Sequence, residues 1–184
     1  MEFIIEDDTH MILIEIQLLV TKFEEMYGYN KLLTSKKTKK QECSNYVWNN
    51  ISSREKLIKT TIFKKNNEIY INYPIIKWFV IPEIYDSIVE YIVVLVTSIL
   101  QTGGTYNIHI NIEGFTISAA ERYSDLISVV FMKLFNETYI NPLEKMYIYN
   151  TPSVIDFLSS MFRKFMRGNT FLDEKVVMLS NTTL

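Results

Sequence analysis

The sequence predicts an α/β fold: a mixed, mainly parallel sheet with crossover helices and one additional helix at the N-terminus. Three observations predict it. Strand-like and helix-like segments alternate from Thr60 to Leu179, the rhythm of a parallel sheet with helical connections. Pro74, Pro82, Pro142 and the Gly103-Gly104 pair fall at the boundaries between those segments. With 184 residues, 48% of them apolar, the chain is long enough to bury a real core as one domain.

The elements follow in order. Thr9–Tyr27 reads as a helix that Asp8 or Thr9 can cap and that Gly28 closes. Met11, Ile12, Ile14, Leu18, Leu19, Phe23 and Met26 give it a broad apolar stripe. Residues 31–58 read as a basic linker between this N-terminal unit (1–30) and an α/β domain (59–184), because Lys31–Asn50 shows little periodicity. Thr60–Lys64 and Glu68–Tyr73 read as strands of a hairpin turning at Lys65-Asn66-Asn67, and Pro74 ends the second. Pro82 opens a helix to about Gln101. Then come strand Asn107–Glu113, helix Ser118–Phe135, strand Lys145–Asn150, helix Ser153–Met166 and strand Lys175–Leu179.

Alternation within the strands separates two faces. Ile108, Ile110 and Ile112 share one, and Asn107, His109, Asn111 and Glu113 the other; Met146 and Ile148 oppose Tyr147 and Tyr149. Strands buried on both faces read as continuous apolar runs, so this pattern predicts an apolar face under the helices and a polar, tyrosine-bearing face directed elsewhere. His109, Asn111, Tyr147, Tyr149 and Asn150 are therefore the candidate ligand-binding residues. Ile108, Ile110, Ile112, Val93, Val94, Val129 and Met132 are the candidate core.

Net charge is −2 but unevenly spread: the balance is −6 over residues 1–30, +8 over 31–65 and −4 over the rest. Lys36, Lys37, Lys39 and Lys40, with a second cluster at Arg163, Lys164 and Arg167, are candidates for contact with anionic headgroups or a partner. Near-neutral overall charge argues against a dedicated nucleic-acid binder. Cys43 is the only cysteine, which fits a reducing compartment. The start lacks the basic segment and cleavage site of a signal peptide. Ile84–Leu100 is interrupted by Asp86 and Glu90, too early to cross a bilayer core of about 30 Å. A cytoplasmic protein, at most peripheral to a membrane, is expected. Heavy use of Ile, Asn, Lys and Tyr with few Gly, Pro and Ala is the bias of an AT-rich genome, such as a parasite's or a large DNA virus's.

Catalytic signatures are missing from the sequence. His10 and His109 are the only histidines, no zinc-ligand spacing exists, and neither Gly-x-Ser-x-Gly nor His-Glu-x-x-His occurs. Gly103-Gly104 follows a helix and precedes a strand, the reverse of a phosphate-binding loop. No enzyme activity, metal or cofactor is expected.

The ordered set Asn111-Ile112-Glu113-Gly114-Phe115, Tyr149-Asn150-Thr151-Pro152, Phe165-Met166, Phe171-Leu172 and Lys175-Val176-Val177 spans Pro82–Leu179. It resembles the CRAL-TRIO domain, the lipid-binding family of retinaldehyde-binding proteins and yeast phosphatidylinositol-transfer proteins. Asn111 stands where that family usually has Asp, the N-terminal helical bundle is reduced, and the C-terminal end is expected to be shortened. The resemblance implies a non-catalytic carrier or sensor binding a lipid or other hydrophobic ligand at a membrane surface. A second reading is a degenerate version of this fold, or of the similar sulfate-transporter and anti-sigma-antagonist (STAS) modules. It would serve as a protein-interaction or assembly subunit, for instance of a large DNA virus; its many tyrosines suit an interface.

Overall fold

The computed structural model describes residues 7–28, 36–134, 136–151 and 174–180. The expected helix Ser153–Met166 lies outside them. A five-stranded sheet is ordered β1 (Ile62–Lys65), β2 (Glu68–Asn72), β3 (Tyr106–Asn111), β4 (Leu143–Thr151), β5 (Val176–Ser180). β1 and β2 form an antiparallel hairpin, and every later neighbour is parallel. The mixed, mainly parallel sheet is thus present. The hairpin turn is one residue shorter than expected, because Lys65 pairs with Glu68 and leaves Asn66-Asn67 as the loop. Asn66 takes a φ of 57° there, a left-handed conformation that asparagine tolerates better than most residues.

The helices are α1 (Asp7–Gly28), α2 (Lys36–Asn50), α3 (Arg54–Thr61), α4 (Tyr73–Ile76), α5 (Tyr85–Leu100), α6 (Ile117–Arg122), α7 (Ser124–Leu134) and α8 (Glu137–Ile140). Pro82 opens a 3-10 turn, Pro82–Ile84, that runs into α5. Gly103, at φ 74°, turns the chain after α5 in a conformation a side chain would strain. Among the described residues, no helix is long and apolar enough to cross a membrane.

Three expectations are corrected. The segment expected as a linker holds two helices. Cys43, Ser44 and Val47 recur at helical spacing along α2, with Ile51 one position past its end, and all four are buried, a narrow stripe that the surrounding Lys and Asn residues conceal. α3 follows directly, capped by Ser53, whose side chain accepts the Lys56 N–H at 3.2 Å. Val94 and Met132, expected in the core, are 61% and 72% exposed, whereas Val93 and Val129 pack at its edge. On α5 the buried stripe runs Ile88, Val89, Ile92, Val96, Ile99; Val94 lies about 200° round the helix from Ile92. The segment expected as one helix from Ser118 breaks at Tyr123, which closes α6 before α7 begins. The Tyr123 ring is held edge-on to Tyr73, with centroids 6.1 Å apart.

The N-terminal helices belong to the same core as the sheet. Ile12 and Ile16 of α1, Val47 of α2 and Leu57 of α3 join Ile62, Ile69 and Phe79 in one buried cluster. Ile16→Ala is expected to lower unfolding free energy by about 2–5 kcal/mol. Met11→Ala, on the exposed face of the same helix, should stay within about 0.5 kcal/mol. Urea titration of both variants checks that α1 is part of the folding unit.

Candidate functional site

The sheet register sets each strand's side chains in rows. Ile62 pairs with Ile71, Ile71 with Ile110, and Ile110 with Ile148. This row of four isoleucines forms the floor of a cavity of about 170 Å³, with Ile88 and Ile92 of α5 and Leu126 and Val130 of α7 opposite and Tyr73, Phe115 and Tyr123 among its other walls. Among the described residues, the surface facing the cavity is entirely apolar. A dry apolar cavity of about 150 Å³ is large enough for a benzene-sized group.

The opposite face carries a ladder of rings. Tyr70 pairs with both Phe63 and His109, and His109 with Tyr147. Successive ring centroids are 5.1, 4.7 and 5.0 Å apart and nearly parallel, close to the strand spacing itself. His109 is only 5% exposed within this stack. Its Nε2 bonds the Glu68 carboxylate and its Nδ1 lies 2.8 Å from the Tyr149 hydroxyl. A carboxylate only accepts, so a neutral ring carries its proton on Nε2 and takes the Tyr149 hydroxyl proton at Nδ1. Burial raises the Tyr149 phenol above its usual pKa, so the hydroxyl keeps its proton and donates.

All five candidate ligand residues are brought together on this face. Tyr147 stacks on His109, and Asn150, at φ 56°, donates from Nδ2 to Asn111 Oδ1 at 2.9 Å. Asn111 Oδ1 also accepts the Glu113 N–H at 3.0 Å. They satisfy one another, and the apolar cavity lies on the other side of the sheet.

Of the candidate headgroup contacts, Arg163, Lys164 and Arg167 lie outside the described residues, as do the side chains of Lys36 and Lys37. Lys39 and Lys40 line a second cleft, together with Cys43, Lys77 and Arg122. Lys77 and Arg122 escaped the sequence reading because no charge cluster marks them; only the fold places them beside α2. Burial is the main cause that pushes the Cys43 thiol up to about 11, with Glu24 adding to it.

A family model for the CRAL/TRIO domain matches residues 55–184. The chain belongs to that family. The match begins earlier than the Pro82–Leu179 span that carries the sequence resemblance and takes in α3 and the β1–β2 hairpin. A comparison with curated proteins finds no match.

Two outcomes are expected. Tyr149→Phe leaves a buried His109 nitrogen without its partner and should cost about 1–3 kcal/mol in urea unfolding. Cys43 should react with a thiol reagent at pH 8 far more slowly in the native than in the unfolded protein. With its folded pKa near 11, only about one thiol in a thousand is ionised at that pH. The native rate should climb as the pH is raised toward 11.

Proposed function

We propose that this protein is a non-catalytic carrier or sensor that holds a hydrophobic ligand between the isoleucine row of the sheet and helices α5 and α7. The wholly apolar lining of that cavity carries the reading, since burying hydrocarbon there recovers roughly 25 cal/mol for each Å² removed from water. Membership of the CRAL/TRIO family supports a lipophilic ligand. The Glu68–His109–Tyr149 cluster supports binding without turnover, because its hydrogen bonds are internal and it lies on the far face. Loading at a membrane surface is part of the proposal. Val94 and Met132 support it, as exposed apolar side chains on the two helices that cover the cavity.

A second reading, a protein-interaction or assembly subunit, is supported by α1, where Met11, Ile14, Leu18 and Met26 are exposed. Native mass spectrometry with lipid extraction separates the two. The carrier reading expects a co-purifying lipid at near one-to-one stoichiometry. Val130→Trp fills the cavity and should cut bound lipid at least about tenfold, at an overpacking cost of about 1–3 kcal/mol. Loss of lipid on Tyr147→Ala or Tyr149→Ala, with Val130→Trp silent, would move the ligand to the aromatic face. A lipid-free oligomer would favour the assembly reading.

A further inference from the structure

The second cleft, of about 390 Å³, lies where α1 and α2 meet the turn after β3, and Ser118 is on its wall. Ser118 is the second residue of α6 and is exposed, as are Thr116 and Ile117 before it. Glu121 follows three positions later. A hydroxyl with an acid at that spacing suits the serine/threonine kinases that select acidic flanks. α6 has only six residues, a length marginal by itself, so local opening can present Ser118 to such an enzyme.

The spacing alone decides nothing, since among the described residues it recurs at Thr21, Ser52 and Ser87. Their surroundings separate the four. Thr21 donates its hydroxyl to the Gln17 carbonyl at 2.9 Å, and Glu24 and Glu25 follow it at the helical neighbour positions. Ser52 Oγ donates to the Glu15 carboxylate at 2.7 Å. Ser87 stands between Asp86 and Glu90 on α5, and both acids already draw on Lys133, at 3.9 and 3.4 Å. A phosphate at any of these three would meet like charge.

Ser118 meets the opposite charge. Lys39, Lys40, Lys77 and Arg122 line the cleft against one carboxylate, Glu24, which lies 3.8 Å from Lys39. Among the described residues, Lys40, Lys77 and Arg122 have no carboxylate partner. Arg122 follows Ser118 by four positions on α6, where helical side chains meet and where an anion is best placed on the N-terminal side of the cation. Lys77 reaches the turn just before α6: its Nζ stands 3.9 Å from where a Cβ on Gly114 would lie. The Arg122 guanidinium donates to Ser44 Oγ at 2.8 Å and to the Val80 and Lys77 carbonyls at 3.3 and 3.5 Å, all neutral acceptors. Its Nε and the hydroxyl of Tyr123, a residue 3% exposed on the same wall, are buried without a partner among the described residues. Donors so placed favour a group that only accepts and carries negative charge.

We propose that Ser118 is a phosphorylation site whose phosphate is held in this cleft by Arg122, Lys77 and Lys40, fastening α6 to α2 and to the turn after α4. The modifying enzyme is a protein kinase using ATP. Ser118 Oγ bonds to the γ-phosphorus, the bond from that phosphorus to the β,γ-bridging oxygen breaks, ADP leaves, and the hydroxyl proton passes to the kinase's base. The product adds a charge of about −1.5 to −2, which offsets the excess of cations. Nothing in this assignment depends on the hydrophobic-ligand reading.

The test incubates the purified full chain with ATP, magnesium and a serine/threonine kinase that selects acidic flanks, and maps the phosphate by mass spectrometry. The expected result is phosphate on Ser118 that is lost in Ser118→Ala. The phosphorus NMR resonance of the product, followed against pH, then reports the second ionisation of the phosphate. Nearby cations favour the doubly charged form, so this ionisation should lie at least about half a unit below its ordinary value of about 6. Raising the salt should bring it back, as should Lys40→Glu with Lys77→Glu. Arg122 is left intact because it ties Ser44, Lys77 and Val80 together. Phosphate confined to Thr21, Ser52 or Ser87, or incorporated nowhere, would overturn the modification site. Phosphate on Ser118 with an ordinary ionisation, unmoved by salt and by the double variant, would overturn its capture by the cleft.

Discussion

The central strand β3 is the constraint on which the rest of the structure depends. It pairs in parallel with β2 on one side and β4 on the other, residue for residue from Ile108 to Asn111. Because side chains alternate with a period of two, that register decides both faces at once. A slip of one residue would turn Ile108 and Ile110 toward the aromatic ladder and push His109 and Asn111 into the apolar cavity. Each face opposes such a slip. Ile108 and Ile110 sit among the buried and half-buried core residues, and His109 is pinned through both ring nitrogens.

Two chemically opposite surfaces therefore back onto one another across a single layer of strands. On one side the isoleucine row and helices α5 and α7 bound a space that favours hydrocarbon. On the other, stacked rings and paired polar groups close on themselves, which accounts for a histidine that is nearly inaccessible on a face that reads as polar. The cationic cleft is different again. It is assembled from four separate stretches of chain: α1, α2, the turn after α4, and the β3–α6 turn with α6 itself. Tyr73 and Tyr123 form the partition between hydrocarbon-like and charged surroundings. A tyrosine suits that position because its ring is apolar and its tip is polar.

Membership of the CRAL/TRIO family, and helix α5 with strands β3, β4 and β5 after Pro82, were legible in the sequence because strand and helix periodicities are local. So was the division of β3 and β4 into two faces. What escaped was phase and context. α5 is apolar almost all round, so Val94 cannot be told from Ile92 until the sheet shows which side it faces. α2 presents too few apolar residues to announce itself, yet Val47 is fully buried once α1 lies against it. Its neighbour α3 carried a local sign, Ser53 as a cap with Glu55 in the first turn.

By itself, then, the sequence determined the fold class, the alternation of the sheet and the sharing of one face by His109, Asn111, Tyr147 and Tyr149, though not the Glu68 and Tyr70 that close around His109. Those properties follow from spacing along one strand or between neighbouring strands. Only the tertiary structure decided that the apolar cavity lies on the face away from His109, and that Arg122 and Lys77 join Lys39 and Lys40 around a second cleft. Those residues are separated by up to 83 positions in the chain. Their meeting depends on how helices dock on a sheet, a long-range outcome of burying apolar surface that no local pattern records.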